Sequence, residues 1–134
     1  MNEVFVDSSA WVALADGTEP NHESAAAAYQ SLLRSARLVT TNLVVAEAHT
    51  TLMRRINSRV ALAFLENLLS SMRILIIHPD GVTDQEALRM LRKYADQRIS
   101  FTDATSFAVM SSRSIREAFS YHKHFRIAGF NMLG

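Results

Sequence analysis

Three acidic residues stand where a carboxylate is poorly explained as solvated surface. Asp7 closes the short apolar run Val4-Phe5-Val6. Glu47 lies inside Leu43-Val44-Val45-Ala46-Glu47-Ala48 and is the only charged residue between Arg37 and Arg54. Asp103 lies in Ser100-Phe101-Thr102-Asp103-Ala104-Thr105. Each has an ordinary alternative. Asp7 can cap the helix that follows it, although Ser8 and Ser9 could do the same. Glu47 can share a solvent stripe with Thr50, Thr51 and Arg54. Asp103 can complete a capping box with Ser100 and interact with a helix dipole. Taken together, the three acids can converge at one sheet edge, where they repel one another unless a cation compensates. Hard oxygen ligands favour Mg²⁺ or Mn²⁺. Such ions serve phosphodiester chemistry by activating water and neutralising phosphate charge.

Composition narrows the chemistry without choosing it. The 134 residues contain no cysteine, which excludes thiol catalysis and cysteine-ligated metals. With 49% apolar residues, a chain of this length can bury a core and folds as one domain, residues 1–134. The 14 basic and 13 acidic side chains nearly balance, so any nucleic-acid binding must be local. Only Lys93 and Lys123 are lysines; the other cations are arginines, suited to bidentate phosphate contacts but equally a mark of biased composition. No apolar run approaches the ~20 residues that span a bilayer, and the start is acidic, so a cytoplasmic protein is expected. Neither a G-x-G-x-x-G, a P-loop nor a G-x-S-x-G is present. His122 and His124 are two residues apart, a spacing that on a helix points them in different directions.

The elements that must position these acids alternate. Residues 4–6 read as a strand, 10–15 as a short helix, and 21–35 as a helix capped by Asn21. A second strand covers 38–40. A helix capped by Thr41 or Asn42 runs to about 55, and another runs from 58 to about 71. The β-branched run 74–77 reads as a strand buried on both faces. Thr83 and Glu86 form a capping-box pattern opening a helix to about 94. Residues 95–100 read as a loop, 102–113 as a helix, 117–121 as a fourth strand, 123–128 as a helical turn and 129–133 as an edge strand. This is an α/β pattern with a central, mainly parallel sheet of four or five strands. Ligands in such sheets bind beyond the carboxyl ends of the strands, where strand order reverses. The residues that matter are therefore Asp7, Thr41-Asn42, His78 and His122.

The ordered set of segments resembles the PIN-domain ribonucleases, specifically the VapC-like toxins of VapBC toxin–antitoxin pairs. The matching segments are residues 4–11 (Val-Phe-Val-Asp-Ser-Ser-Ala-Trp), 40–47 (Thr-Thr-Asn-Leu-Val-Val-Ala-Glu), 100–107 (Ser-Phe-Thr-Asp-Ala-Thr-Ser-Phe) and 118–125 (Ala-Phe-Ser-Tyr-His-Lys-His-Phe), followed by Ala128-Gly129-Phe130. The resemblance implies a three-layer α/β/α fold. It places Asp7, Glu47 and Asp103 at the family's catalytic, metal-binding acids. It also implies metal-dependent endonucleolytic cleavage of RNA, a homodimer, and a cognate antitoxin protein docked over a hydrophobic groove. Trp11 and Leu14 are candidates for that groove, or for ordinary core. The chain departs from the family at His122, where a fourth acid is usual. His122 could ligate a metal, contact phosphate or shuttle a proton, or mark a weakened second metal site, and Asp96 could supply the missing carboxylate.

Two other readings compete. The departure at His122 fits a catalytically weakened module that binds RNA or a partner. A phosphoacceptor receiver domain has a similar length and class, but it needs an acid pair after the first strand, where this chain has Asp7 followed by two serines.

Overall fold

A computed structural model describes residues 2–134. The chain runs β1 (Asn2–Val6), α1 (Ser8–Ala15), α2 (His22–Ser35), β2 (Ala36–Thr41), α3 (Asn42–Arg55), α4 (Ser58–Ser70), β3 (Ile74–Ile77), α5 (Gly81–Lys93), a 3₁₀ turn (Ala95–Gln97), α6 (Phe101–Ser112), β4 (Glu117–Phe119), α7 (His124–Ile127) and β5 (Asn131–Leu133). The five strands form one sheet in the order β3-β2-β1-β4-β5. All four pairings are parallel, with Phe5 opposite both Val39 and Ala118. From β1 the chain steps outward through β2 to β3, then returns to the other side of β1 as β4. The strand order therefore reverses between β1 and β4, the position where open parallel sheets hold ligands.

Side-chain alternation along β1 and β2 shows which helices cover which face. Phe5 points to the side of α6 and α7: its ring lies 6.2 Å from Phe125, which meets Phe107 edge-on at 5.1 Å. Thr40, one residue past the Phe5–Val39 pair, points to the opposite face. There its hydroxyl donates to the Val6 carbonyl at 2.9 Å and accepts from the Trp11 indole N–H at 3.4 Å. Trp11 in turn packs against Tyr29 of α2 and Phe64 of α4. Helices thus cover both faces, which is why Val4, Phe5 and Val6 are all buried. Trp11 is only 4% exposed and belongs to the core, while Leu14 is half-buried beside it. Both line an apolar cavity of about 290 Å³ with Tyr29, Phe64 and Ile74.

Several local expectations change. The run Ile74–Ile77 is an edge strand, half-buried at every position, because β3 has only β2 as a neighbour. Its composition matches that of a central strand, and only the strand order makes it an edge. The fourth strand stops at Phe119, since the His122 N–H folds back onto the Ser120 hydroxyl at 2.9 Å and turns the chain. Helix α5 is capped by Asp80, whose carboxylate accepts from both the N–H and the hydroxyl of Thr83. Glu86 pairs with Arg89 one turn on, so Thr83 and Glu86 do not form a capping box. Asn57 caps α4, and Asn21 sits at the start of α2 without a side-chain cap. Thr41 caps α3 as anticipated, accepting from the Val44 N–H at 3.2 Å. No helix among the described residues is long and apolar enough to cross a membrane.

The ring cluster of Phe107, Phe125 and Phe130 ties α6 and α7 together beneath the sheet edge. Phe107 has no solvent exposure. Phe107→Ala is expected to lower unfolding free energy by about 3–5 kcal/mol in urea titration, the range for deleting a buried phenylalanine ring. A loss below about 1 kcal/mol would show that the cluster contributes little.

Candidate active site

Asp7 leaves β1 at the point where strand order reverses. Its N–H extends the ladder to β4 by donating to the Phe119 carbonyl at 3.1 Å, and its carboxylate caps α1 by accepting from the Ser9 N–H. The side chain is buried, with the residue 3% exposed. Two hydroxyls converge on Oδ2, from Ser9 and Ser120, each at 2.9 Å. The same hydroxyls accept backbone N–H groups from the loop after β4: Ser9 from Tyr121 and Ser120 from His122, each at 2.9 Å. A short relay therefore fixes the post-β4 loop against Asp7. Oδ1 is less used, with only the Ser8 hydroxyl at 3.5 Å.

Burial pushes the Asp7 carboxyl above its ordinary range; the serine hydrogen bonds oppose this, and the negative charge of Asp103 adds to it. Asp103 is close enough to couple to Asp7 yet serves a structural purpose as well. It forms the capping box of α6, with the Ser100 hydroxyl accepting from the Asp103 N–H at 3.0 Å and Asp103 Oδ2 accepting from the Ser100 N–H at 3.1 Å. The cap and ligand readings of Asp7 and Asp103 are thus compatible, because each cap occupies mainly one oxygen and leaves the other available.

Glu47 is exposed, since Val44, Val45, Ala48 and Leu52 turn the other face of α3 into the core. The acid within an apolar stretch therefore carries no burial penalty, and Thr50 and Arg54 share its exposed side. Even so, Glu47 is tied to the site: the Ser8 hydroxyl donates to Glu47 Oε1 at 2.5 Å while lying against Asp7 Oδ1. Glu47 also lines a cleft of about 200 Å³ with Ser8, Ser9, Arg55 and Tyr121. Arg55 reaches Glu19 across this cleft at 3.4 Å.

Asp103 also has a contact that residue spacing does not reveal. His122 and His124 do not diverge; their rings lie 4.1 Å apart. Residue 122 precedes the helix, and Lys123 is the cap of α7, so helical geometry does not apply to the pair. His124 Nδ1 lies 3.2 Å from Asp103 Oδ2. His122, His124 and Asp103 each place one ligand atom within 4.8 Å of the other two. Asp96 is exposed on the 3₁₀ turn and is not one of this group. Ser9, Ser120 and His124 are the participants that spacing alone did not single out. The short polar run after β4 was the available signal.

Two neighbouring carboxylates, Asp7 with its carboxyl raised by burial and by the charge of Asp103, each with a spare oxygen, suit a hard divalent cation. Asp7 and Asp103 are the residues that would hold it, with Glu47 reaching the same space through Ser8. An ion there can polarise a phosphate and activate water.

Comparison with known proteins agrees with this architecture. The PIN domain family matches residues 4–131. The chain is 33% identical over 127 residues to the 23S rRNA-specific endonuclease VapC20 of Mycobacterium tuberculosis, covering 95% of each chain. The crystal structure of that protein, described as a sarcin-ricin loop cleaving toxin, superposes with a TM-score of 0.88 over 95% of each chain. VapBC2 from Rickettsia felis, solved bound to a DNA fragment from its promoter, gives a TM-score of 0.72 at 13% identity over 98% of this chain and 97% of that one, which speaks to the fold alone.

The raised Asp7 carboxyl has a stability consequence. The folded state holds the Asp7 proton more tightly than the unfolded chain does, so stability contributed at this position falls as pH rises from the ordinary aspartate range through the folded value. In metal-free buffer at neutral pH, Asp7→Asn is expected to melt higher than the parent, and the gap should close in acid. A parent that is equally or more stable at neutral pH would rule out the burial penalty.

Proposed function

The chain belongs to the PIN-domain family, and from that premise we propose that it is a divalent-metal-dependent endoribonuclease acting as the toxin of a toxin–antitoxin pair. The observation that carries this reading is the placing of two acids by the β1/β4 reversal, Asp7 just past β1 and Asp103 in the first turn of α6, near enough that the charge of Asp103 acts on the buried Asp7 carboxyl. Likeness to VapC20 along 95% of the chain supports it.

In this reading Asp7 and Asp103 hold Mg²⁺ or Mn²⁺ through the oxygens their caps leave available. When bound, the cation supplies activation of water and neutralises charge on the scissile phosphate. Glu47, at the mouth of the cleft and tethered by Ser8, orients the attacking water and takes its proton. Arg55 lies on the same cleft and is placed to contact an RNA phosphate. In-line attack at phosphorus leaves a 3′-hydroxyl and a 5′-phosphate. An rRNA stem-loop is the substrate class to test first, by analogy with VapC20. The same reading takes residues 1–134 as one nuclease domain, a cytoplasmic homodimer held in check by a cognate antitoxin.

Asp7→Ala and Asp103→Ala are each expected to lower metal-dependent cleavage of a fluorogenic rRNA stem-loop by about 10²-fold or more, the scale of losing a catalytic group. Full activity in both purified variants would defeat the assignment. Tight RNA binding by the parent without cleavage in either Mg²⁺ or Mn²⁺ would instead identify a binding module. His122→Asp, which restores a fourth carboxylate, is expected to raise the rate in Mg²⁺; an unchanged or lower rate would show that the histidine is not a weakened substitute for an acid.

A further inference from the structure

Asp103 faces two different donor sets. Toward β1 lie the oxygens of Asp7 and, through Ser8, Glu47. Toward α7 lie two imidazoles. One ligand atom from each of Asp103, His122 and His124 falls within 4.8 Å of the other two. Two nitrogens and one oxygen make a poor cage for Mg²⁺, which prefers oxygen ligands and gives up its waters reluctantly. They are a good one for a borderline transition-metal ion, which binds imidazole strongly and is often held by three protein ligands with a fourth position open. We infer that Asp103, His122 and His124 form a binding site for one transition-metal ion of the Zn²⁺ class, distinct in selectivity from the oxygen-lined side of the same carboxylate.

The ligands are already directed towards one another. Asp103 is held by its capping box, and both of its hydrogen bonds fall on Oδ2, from the Ser100 N–H and from His124 Nδ1. His124 Nδ1 and Asp103 Oδ2 lie 3.2 Å apart, close to the spacing of two ligand atoms on one tetrahedral ion, so an ion can take the place of their hydrogen bond. The His124 side chain is about 11% exposed, which shields that contact from bulk water. The backbone carrying His122 is pinned by its own N–H to the Ser120 hydroxyl, and the His124 N–H approaches His122 Nδ1 at 3.4 Å. The His122 ring is exposed and lies beside the His124 ring, centroids 4.1 Å apart. Tetrahedral coordination with bonds of about 2.0–2.1 Å spaces ligand atoms about 3.4 Å apart. All three ligand atoms already lie within 4.8 Å of one another, and rotation of the exposed His122 ring brings them to that spacing.

The site does not depend on the nuclease reading, because it can be tested without RNA. The metal-free full-length chain is titrated with ZnCl₂ by calorimetry in the presence of excess Mg²⁺. One Zn²⁺ per chain is expected, with binding undisturbed by Mg²⁺. His122→Ala is expected to weaken it at least about tenfold, as is His124→Gln, which keeps an amide against Asp103 to preserve the fold. Glu47→Ala should leave Zn²⁺ affinity within about threefold. Equal Zn²⁺ affinity in the parent and the His122→Ala variant would overturn the site, as would displacement by Mg²⁺ or loss of binding with Glu47→Ala alone. Zn²⁺ binding by a parent chain that cleaves no RNA in Mg²⁺ or Mn²⁺ would overturn the nuclease reading and uphold this one.

Discussion

The structure turns on one buried charge. Asp7 is a carboxylate 3% exposed, at the end of a strand whose side chains are packed on both faces. Such a group is tolerated only if its oxygens are satisfied. The Ser9 and Ser120 hydroxyls do this for Oδ2, and both residues also accept N–H groups from the loop after β4. Satisfying the buried acid therefore also builds the loop that carries His122 and His124. Stability and site geometry rest on the same hydrogen bonds.

The parallel sheet makes this possible. With helices on both faces, β1 is central, and its carboxyl end opens only at the reversal between β2 on one side and β4 on the other. Asp7 and Ser120 come from strands more than a hundred residues apart and meet because β1 and β4 pair in register, Val6 opposite Phe119. Helix α6 then delivers Asp103 from its first turn, where a carboxylate is favoured by the helix dipole. Capping and ligand placement are one arrangement here: the acid that completes the capping box is also the one whose charge acts on Asp7.

Helix and strand order was legible because it follows from periodicity, caps and punctuation. The Ser100–Asp103 capping box and the Thr41 cap could be read directly from spacing. Where two local signals competed, spacing was insufficient. Asp80 and Thr83 both had the chemistry to start α5, and the better acceptor took the role. The Ile74–Ile77 run carries the composition of a central strand, and nothing local marks it as an edge. Glu47 looked like an acid set among apolar residues, but the helix turned its neighbours inward and left it in solvent.

The sequence by itself determined an α/β chain without thiol chemistry, and it marked three acids whose types suit a hard cation. These follow from composition and short-range pattern, which are written residue by residue. Tertiary structure alone decided which groups meet. The serine pair at Asp7 and the paired histidines beside Asp103 depend on strand order and on where one short helix begins. Those are outcomes of packing between segments far apart in the chain, and no spacing within a segment encodes them.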